Sequence, residues 1–126
     1  MRTRYLLDSN FIISYLQGAR WALVFAGGLT GAELYASVIT EMEILSYHLV
    51  TVEQERGARL FLDQVTIVPL DEKVKSVAIA LRRGTRLKLP DAVVAAAAVV
   101  VDAVLVTSDR RLAEQGWPGL RTLNPS

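Results

Sequence analysis

Along this chain, short apolar runs stop abruptly at polar residues, and the segments between them carry apolar residues at helical spacing. Tyr5-Leu6-Leu7 stops at Asp8-Ser9-Asn10, and Phe11-Ile12-Ile13 with Tyr15-Leu16 then recur up to Gly18. The pattern predicts a strand, a polar cap and a helix. Residues 21–25 form a second apolar patch closed by Gly27-Gly28, predicting another short helix. Leu34-Tyr35-Ala36-Ser37 is a strand candidate, and beyond Val38-Ile39-Thr40 the residues Met42, Leu45 and Leu49 fall on one helical stripe. Residues 52–62 carry a charged helical pattern, and the β-branched run Val65-Thr66-Ile67-Val68 stops at Pro69. Asp71 is placed to cap a helix through Val74, Val77, Ala78 and Leu81. After Gly84 and a basic connector, Pro90 opens a helix of Ala and Val. Ala103-Val104-Leu105-Val106 and residues 120–123 complete the strand set.

The strands show no strict polar alternation, so both faces of their sheet are expected to be covered. Strands alternating with helices then predict an α/β domain with a parallel sheet. No repeat or low-complexity linker divides the chain, so residues 1–126 read as one domain. In open sheets of this class, ligand sites lie outside the carboxyl ends of the strands. Asp8 and Asp109 stand at two such exits. Asp91 follows Pro90 in the first turn of the Ala/Val helix, and Glu43 lies early in the helix after the second strand.

Composition narrows the chemistry open to these carboxylates. The 126 residues include no Cys, which removes thiolate zinc sites, thiol nucleophiles and disulfides. The net charge of +1 supplies no global field for nucleic acid, so any such binding must be local. The longest apolar run, residues 92–101, is well short of the ~20 needed to span a bilayer. The N-terminal apolar stretch is too short for a signal peptide, so a soluble cytoplasmic protein without a membrane partner is expected. Two carboxylates 4 Å apart repel by about 4 kcal/mol at an effective dielectric of 20. Convergence of the four therefore demands protons or a cation, and all-oxygen ligands point to Mg²⁺ or Mn²⁺.

Four segments carry a resemblance when taken in order: Tyr5-Leu6-Leu7-Asp8-Ser9-Asn10-Phe11-Ile12, Ser37-Val38-Ile39-Thr40-Glu41-Met42-Glu43-Ile44-Leu45, Leu89-Pro90-Asp91-Ala92-Val93-Val94-Ala95-Ala96 and Leu105-Val106-Thr107-Ser108-Asp109. Together they resemble the PIN-domain ribonucleases, most of all the VapC toxins of type II toxin–antitoxin pairs. The resemblance implies a three-layer fold with a mainly parallel sheet of about four to five strands flanked by helices. It implies a metal-dependent endoribonuclease that cleaves RNA phosphodiester bonds, with Asp8 and Asp91 as metal ligands and Glu43 and Asp109 completing the catalytic site. It also implies a homodimer and a VapB-type antitoxin whose C-terminal part blocks the acidic groove. Ser9 stands where Thr is common in the family. Glu41 lies two residues from Glu43 on another helix face, which leaves an exchange of roles open.

An RNA substrate must be gripped by local cations. Arg83, Arg86 and Lys88 precede Asp91, and Arg110 in Arg110-Arg111 adjoins Asp109, so these are the candidate RNA contacts. Each cluster could equally be a solvated helix end. His48 is too isolated to serve as a base or ligand, and Trp21 and Trp117 read as core or interface anchors. Residues 21–25, beside Phe11 and Tyr15, are either a partner surface or plain core. A dehalogenase-like phosphotransferase would need a second Asp two residues after Asp8, where Asn10 stands. The alternative within the resemblance is a PIN-like domain that binds RNA or a partner without cutting.

Overall fold

A computed structural model of the chain describes residues 2–47 and 51–126. The elements run β1 (Arg4–Leu7), α1 (Ser9–Leu16), α2 (Arg20–Gly27), β2 (Glu33–Ser37), α3 (Val38–Ser46), α4 (Val52–Leu62), β3 (Thr66–Val68), α5 (Glu72–Gly84), α6 (Leu89–Val100), β4 (Val104–Val106), α7 (Arg110–Ala113) and β5 (Arg121–Leu123). The five strands make one sheet in the order β3-β2-β1-β4-β5. All four pairings are parallel, with Leu6 opposite Tyr35 on one side and Leu105 on the other. The expected α/β architecture is observed, with the upper strand count.

Because successive strand side chains point to opposite faces, the sheet feeds two cores. Leu6 and Leu105 join α5, α6 and Leu112 of α7 on one face. Leu7, Ala36 and Val106 join Phe11, Ile12, Ala22, Ile44 and Ala58 on the other. Residues 92–98 of α6 are buried all round, as its near-continuous Ala and Val content requires of a helix held between the sheet and α5. No helix among the described residues is long and apolar enough to cross a membrane.

Local capping follows the expected chemistry. Asp71 caps α5 by accepting the Val74 N–H at 2.9 Å, and Thr51 with Gln54 forms a reciprocal capping box on α4. The stripe expected on α3 is corrected by the structure. Met42 is 59% exposed, and the buried positions are Thr40 and Ile44, one turn apart. Leu49 and His48 lie outside the described residues. Residues 21–25 split between the two expected roles: Trp21 and Phe25 pack on Phe11 at ring-centroid distances of 6.0 and 5.6 Å, while Leu23 and Val24 remain exposed.

Candidate active site

The sheet order reverses between β1 and β4. The chain leaves β1 toward β2 and leaves β4 toward β5, so a crevice opens at the neighbouring carboxyl ends. Asp8 sits at the first of these ends, where its N–H donates to the Val106 carbonyl at 2.9 Å. Its side chain caps α1, with Oδ1 accepting from the Ser9 N–H at 2.9 Å. Oδ2 accepts from the Thr107 hydroxyl at 2.8 Å.

Thr107 is fully buried, and its oxygen also accepts from the Asp109 N–H at 3.0 Å and from Asn10 Nδ2 at 3.3 Å. With both lone pairs engaged, its proton is directed to Asp8. Asn10 Oδ1 accepts from the Ser108 N–H at 3.1 Å, closing a clasp between the β1 and β4 exits. Neither Thr107 nor Asn10 stands out in the sequence as a site residue. The available signal was a polar residue directly after the apolar run of β4, two positions before Asp109.

The other carboxylates surround this clasp. Glu43 Oε1 accepts from the Ser9 hydroxyl at 3.2 Å, so Glu43 rather than Glu41 reaches the β1 exit. Asp91 lies in the first turn of α6, half-buried and with no side-chain hydrogen bond or salt bridge among the described residues. Asp109 caps α7, its Oδ1 accepting from the Arg111 and Leu112 N–H groups at 3.0 and 3.4 Å.

Burial pushes the Asp8 carboxyl up to about 6, against the opposing hydrogen bonds from Thr107 and Ser9. The negative charges of Asp91 and Glu43 add to the rise. Asp91 is also raised above the usual carboxylate range, by burial first and by Asp109 second, with Arg111 and Lys88 opposing. Asp8 and Asp91 therefore each feel a neighbouring carboxylate.

No group of three carboxylate or imidazole side chains among the described residues forms a ready-made metal cage. The donor chemistry nevertheless fits a hard divalent ion. Asp8 is 5% exposed, neither Asp8 nor Asp91 has a salt bridge among the described residues, and a Mg²⁺-type ion is commonly held by one or two carboxylates with several waters.

A cavity of about 370 Å³ opens beside Asp91, with Arg86, Lys88 and Arg111 on its walls. Of the candidate RNA contacts, the structure thus brings Arg86 and Lys88 to the site. Arg83 instead lines an apolar groove with Leu70, Ile79, Leu89 and Pro90. Arg110 is exposed and faces Glu114 at 3.9 Å, and its neighbour Arg111 lines the cavity beside Asp91.

Comparison with known proteins places this arrangement. The family model described as the PIN domain matches residues 5–118. The chain belongs to the PIN-domain family. Among solved structures, this PIN domain is similar to a toxin–antitoxin complex from Klebsiella pneumoniae at 29% identity and a TM-score of 0.82, covering 97% of this chain and 98% of that one. VapBC2 from Rickettsia felis, bound to a DNA fragment from its promoter, aligns at 19% identity and 0.81, covering 97% and 98%. DNA-bound VapBC from Salmonella typhimurium aligns at 22% and 0.77, covering 98% and 99%. At such identities the last two show a shared PIN fold. No curated protein sequence matches the chain.

Proposed function

We propose that this PIN domain is a divalent-metal-dependent endoribonuclease, acting as the toxin of a toxin–antitoxin pair. The observation that carries the reading is Asp8, a buried carboxylate with no salt bridge among the described residues, at the switch point of the sheet and in the fields of Asp91 and Glu43. A site that concentrates like charge in this way is adapted to receive a cation.

Asp8 and Asp91 would hold the ion. When bound, Mg²⁺ or Mn²⁺ supplies an activated water and neutralises charge on the phosphoryl oxygens. Thr107 holds Asp8 in place, Ser9 ties Glu43 to the same exit, and Glu43 and Asp109 serve to orient water and accept its proton. Arg86 and Lys88 bring the RNA backbone to the crevice.

The toxin role is supported by likeness over nearly the full chain to structures whose printed names are toxin–antitoxin complexes. It implies a VapB-type antitoxin and a homodimer as protein partners and a cytoplasmic site of action. Two apolar grooves support two protein contacts, one with Ile13, Leu16 and Ile44 on its walls, the other with Leu70, Ile79 and Leu89.

The test is cleavage of single-stranded RNA by the full chain with Mg²⁺ and with EDTA. Chelation should abolish cleavage. Loss of a partner one shell removed from a metal typically costs 10–100-fold, so Asp8→Asn and Asp91→Asn should each lower the rate by about 100-fold or more. Cleavage by Asp8→Asn at the wild-type rate would overturn the assignment.

A further inference from the structure

Among the described residues, one buried side-chain polar atom has no hydrogen-bond partner, the Oγ1 of Thr40. The residue is 0% exposed, and buried hydroxyls are nearly always paired, so an idle one calls for a physical reason. A buried Thr in a helix can turn its hydroxyl back to the carbonyl four residues earlier. Thr40 is the third residue of α3, and four residues back stands Ala36, which still belongs to β2. The helical acceptor is therefore not in place. Ser37, the cap between them, already accepts the Ile39 N–H on its own oxygen at 3.1 Å.

The start of α3 lies between the first turns of the helices that carry Asp8 and Asp91. Ile39 lines a groove with Leu89, Pro90 and Val93 of α6, and Glu43 meets Ser9 at the start of α1. Ile39 packs on the core of one sheet face and Ile44 belongs to that of the other, so α3 joins the two layers beyond the end of β2. At about 100° per residue, Glu43 and Thr40 both fall between Ile39 and Ile44 around the helix. They stand one turn apart, where side chains at i and i+3 can meet. Glu43 is loosely held: its bond from Ser9 is 3.2 Å, beyond the ~2.7–2.8 Å typical of O–H···O bonds, and its Oε2 accepts no hydrogen bond among the described residues. The Asp8 charge repels this carboxylate, and a cation in the site would cancel that repulsion.

We propose that Thr40 is a positioning residue: with a divalent cation in the site, its hydroxyl donates to the Glu43 carboxylate and fixes how that carboxylate faces the crevice. The assignment rests on the metal-site reading of Asp8 and Asp91 and names what holds Glu43 beside them. In the cation-free chain the buried donor is unpaired and costs stability. In the loaded chain the new bond offsets that cost, so part of the stabilisation by the cation passes through Thr40.

The experiment compares urea midpoints of the full chain in EDTA and in Mg²⁺, beside RNA cleavage, for the wild type, Thr40→Val, Thr40→Ser and Glu43→Ala. In EDTA, Thr40→Val should raise the midpoint, since valine keeps the shape and deletes an unpaired hydroxyl. Mg²⁺ should raise the midpoint of the wild type more than that of Thr40→Val. In the Glu43→Ala background, Thr40→Val should leave the Mg²⁺-induced gain unchanged, because the bond needs both partners. In cleavage, Thr40→Val should lower kcat about 10-fold at nearly constant KM, and Thr40→Ser should recover most of the rate. A midpoint lowered by Thr40→Val in EDTA, an equal Mg²⁺-induced gain with and without the hydroxyl, or cleavage by Thr40→Val at the wild-type rate would each overturn the proposal. A wild-type chain that shows the Thr40-dependent gain but cuts no RNA sinks the nuclease reading and leaves the contact standing. A chain that cuts RNA equally well as wild type and as Thr40→Val sinks the role of Thr40 alone.

Discussion

Asp8 illustrates how a single residue is placed in tension by the site it serves. Burial raises its carboxyl from 3.8 in the unfolded chain to about 6 in the folded one. Between those values the folded state holds more protons than the unfolded state, so this group's contribution to stability falls as pH rises from about 4 to 6. At pH 7 the penalty is fully present and is worth roughly 3 kcal/mol. The unfolding free energy of the wild-type chain minus that of Asp8→Asn should therefore decline by about that amount across this window, measured by urea denaturation in EDTA. A flat difference would show that Asp8 titrates normally. Asp8 at a strand exit was visible in the sequence because an apolar run followed by Asp is a local feature. Thr107 was not, since the need for its hydroxyl arises only when residues 99 positions apart meet.

The elements show the same division between local and distant causes. The cap at Asp71 and the Pro near the start of α6 follow from the chemistry of helix ends, and both were readable. On α3 the helical period was readable but its buried face was not, because Met42 or Ile44 points inward only according to what the helix packs against. Gly84 is a second case. It ends α5, and a Cβ there would stand 2.6 Å from Cζ3 of Trp117, so the indole covers the helix end only because the position lacks a side chain. Gly84→Ala should cost about 1–3 kcal/mol by overpacking, read as a lowered urea midpoint. Unchanged stability would mean that the indole moves aside freely.

At the scale of the whole molecule, charge is balanced in number and segregated in space. The net charge of +1 coexists with carboxylates at the β1 and β4 exits and with Arg86, Lys88 and Arg111 on one adjoining cavity. RNA affinity should therefore fall steeply with salt. For single strands the slope of log K against log salt is about −0.7 per phosphate neutralised, so Arg86→Ala with Lys88→Ala should make it shallower by about 1.4. An unchanged slope in a filter-binding titration would remove both residues from the RNA interface. The balanced count did not forbid a nucleic-acid site because a count carries no positions.

The amino-acid sequence by itself determined the strands, the helices, the α/β class and the carboxylates offered at strand exits. Each of these depends on residues within one or two turns or a single strand of each other. The tertiary structure alone decided the strand order that sets β1 beside β4, the Thr107–Asn10 clasp, the Ser9 hydroxyl that Glu43 accepts, and the place of Arg111 on the cavity beside Asp91. These outcomes depend on contacts between distant segments, where position in three dimensions determines which polar groups find a partner and which remain available for a ligand.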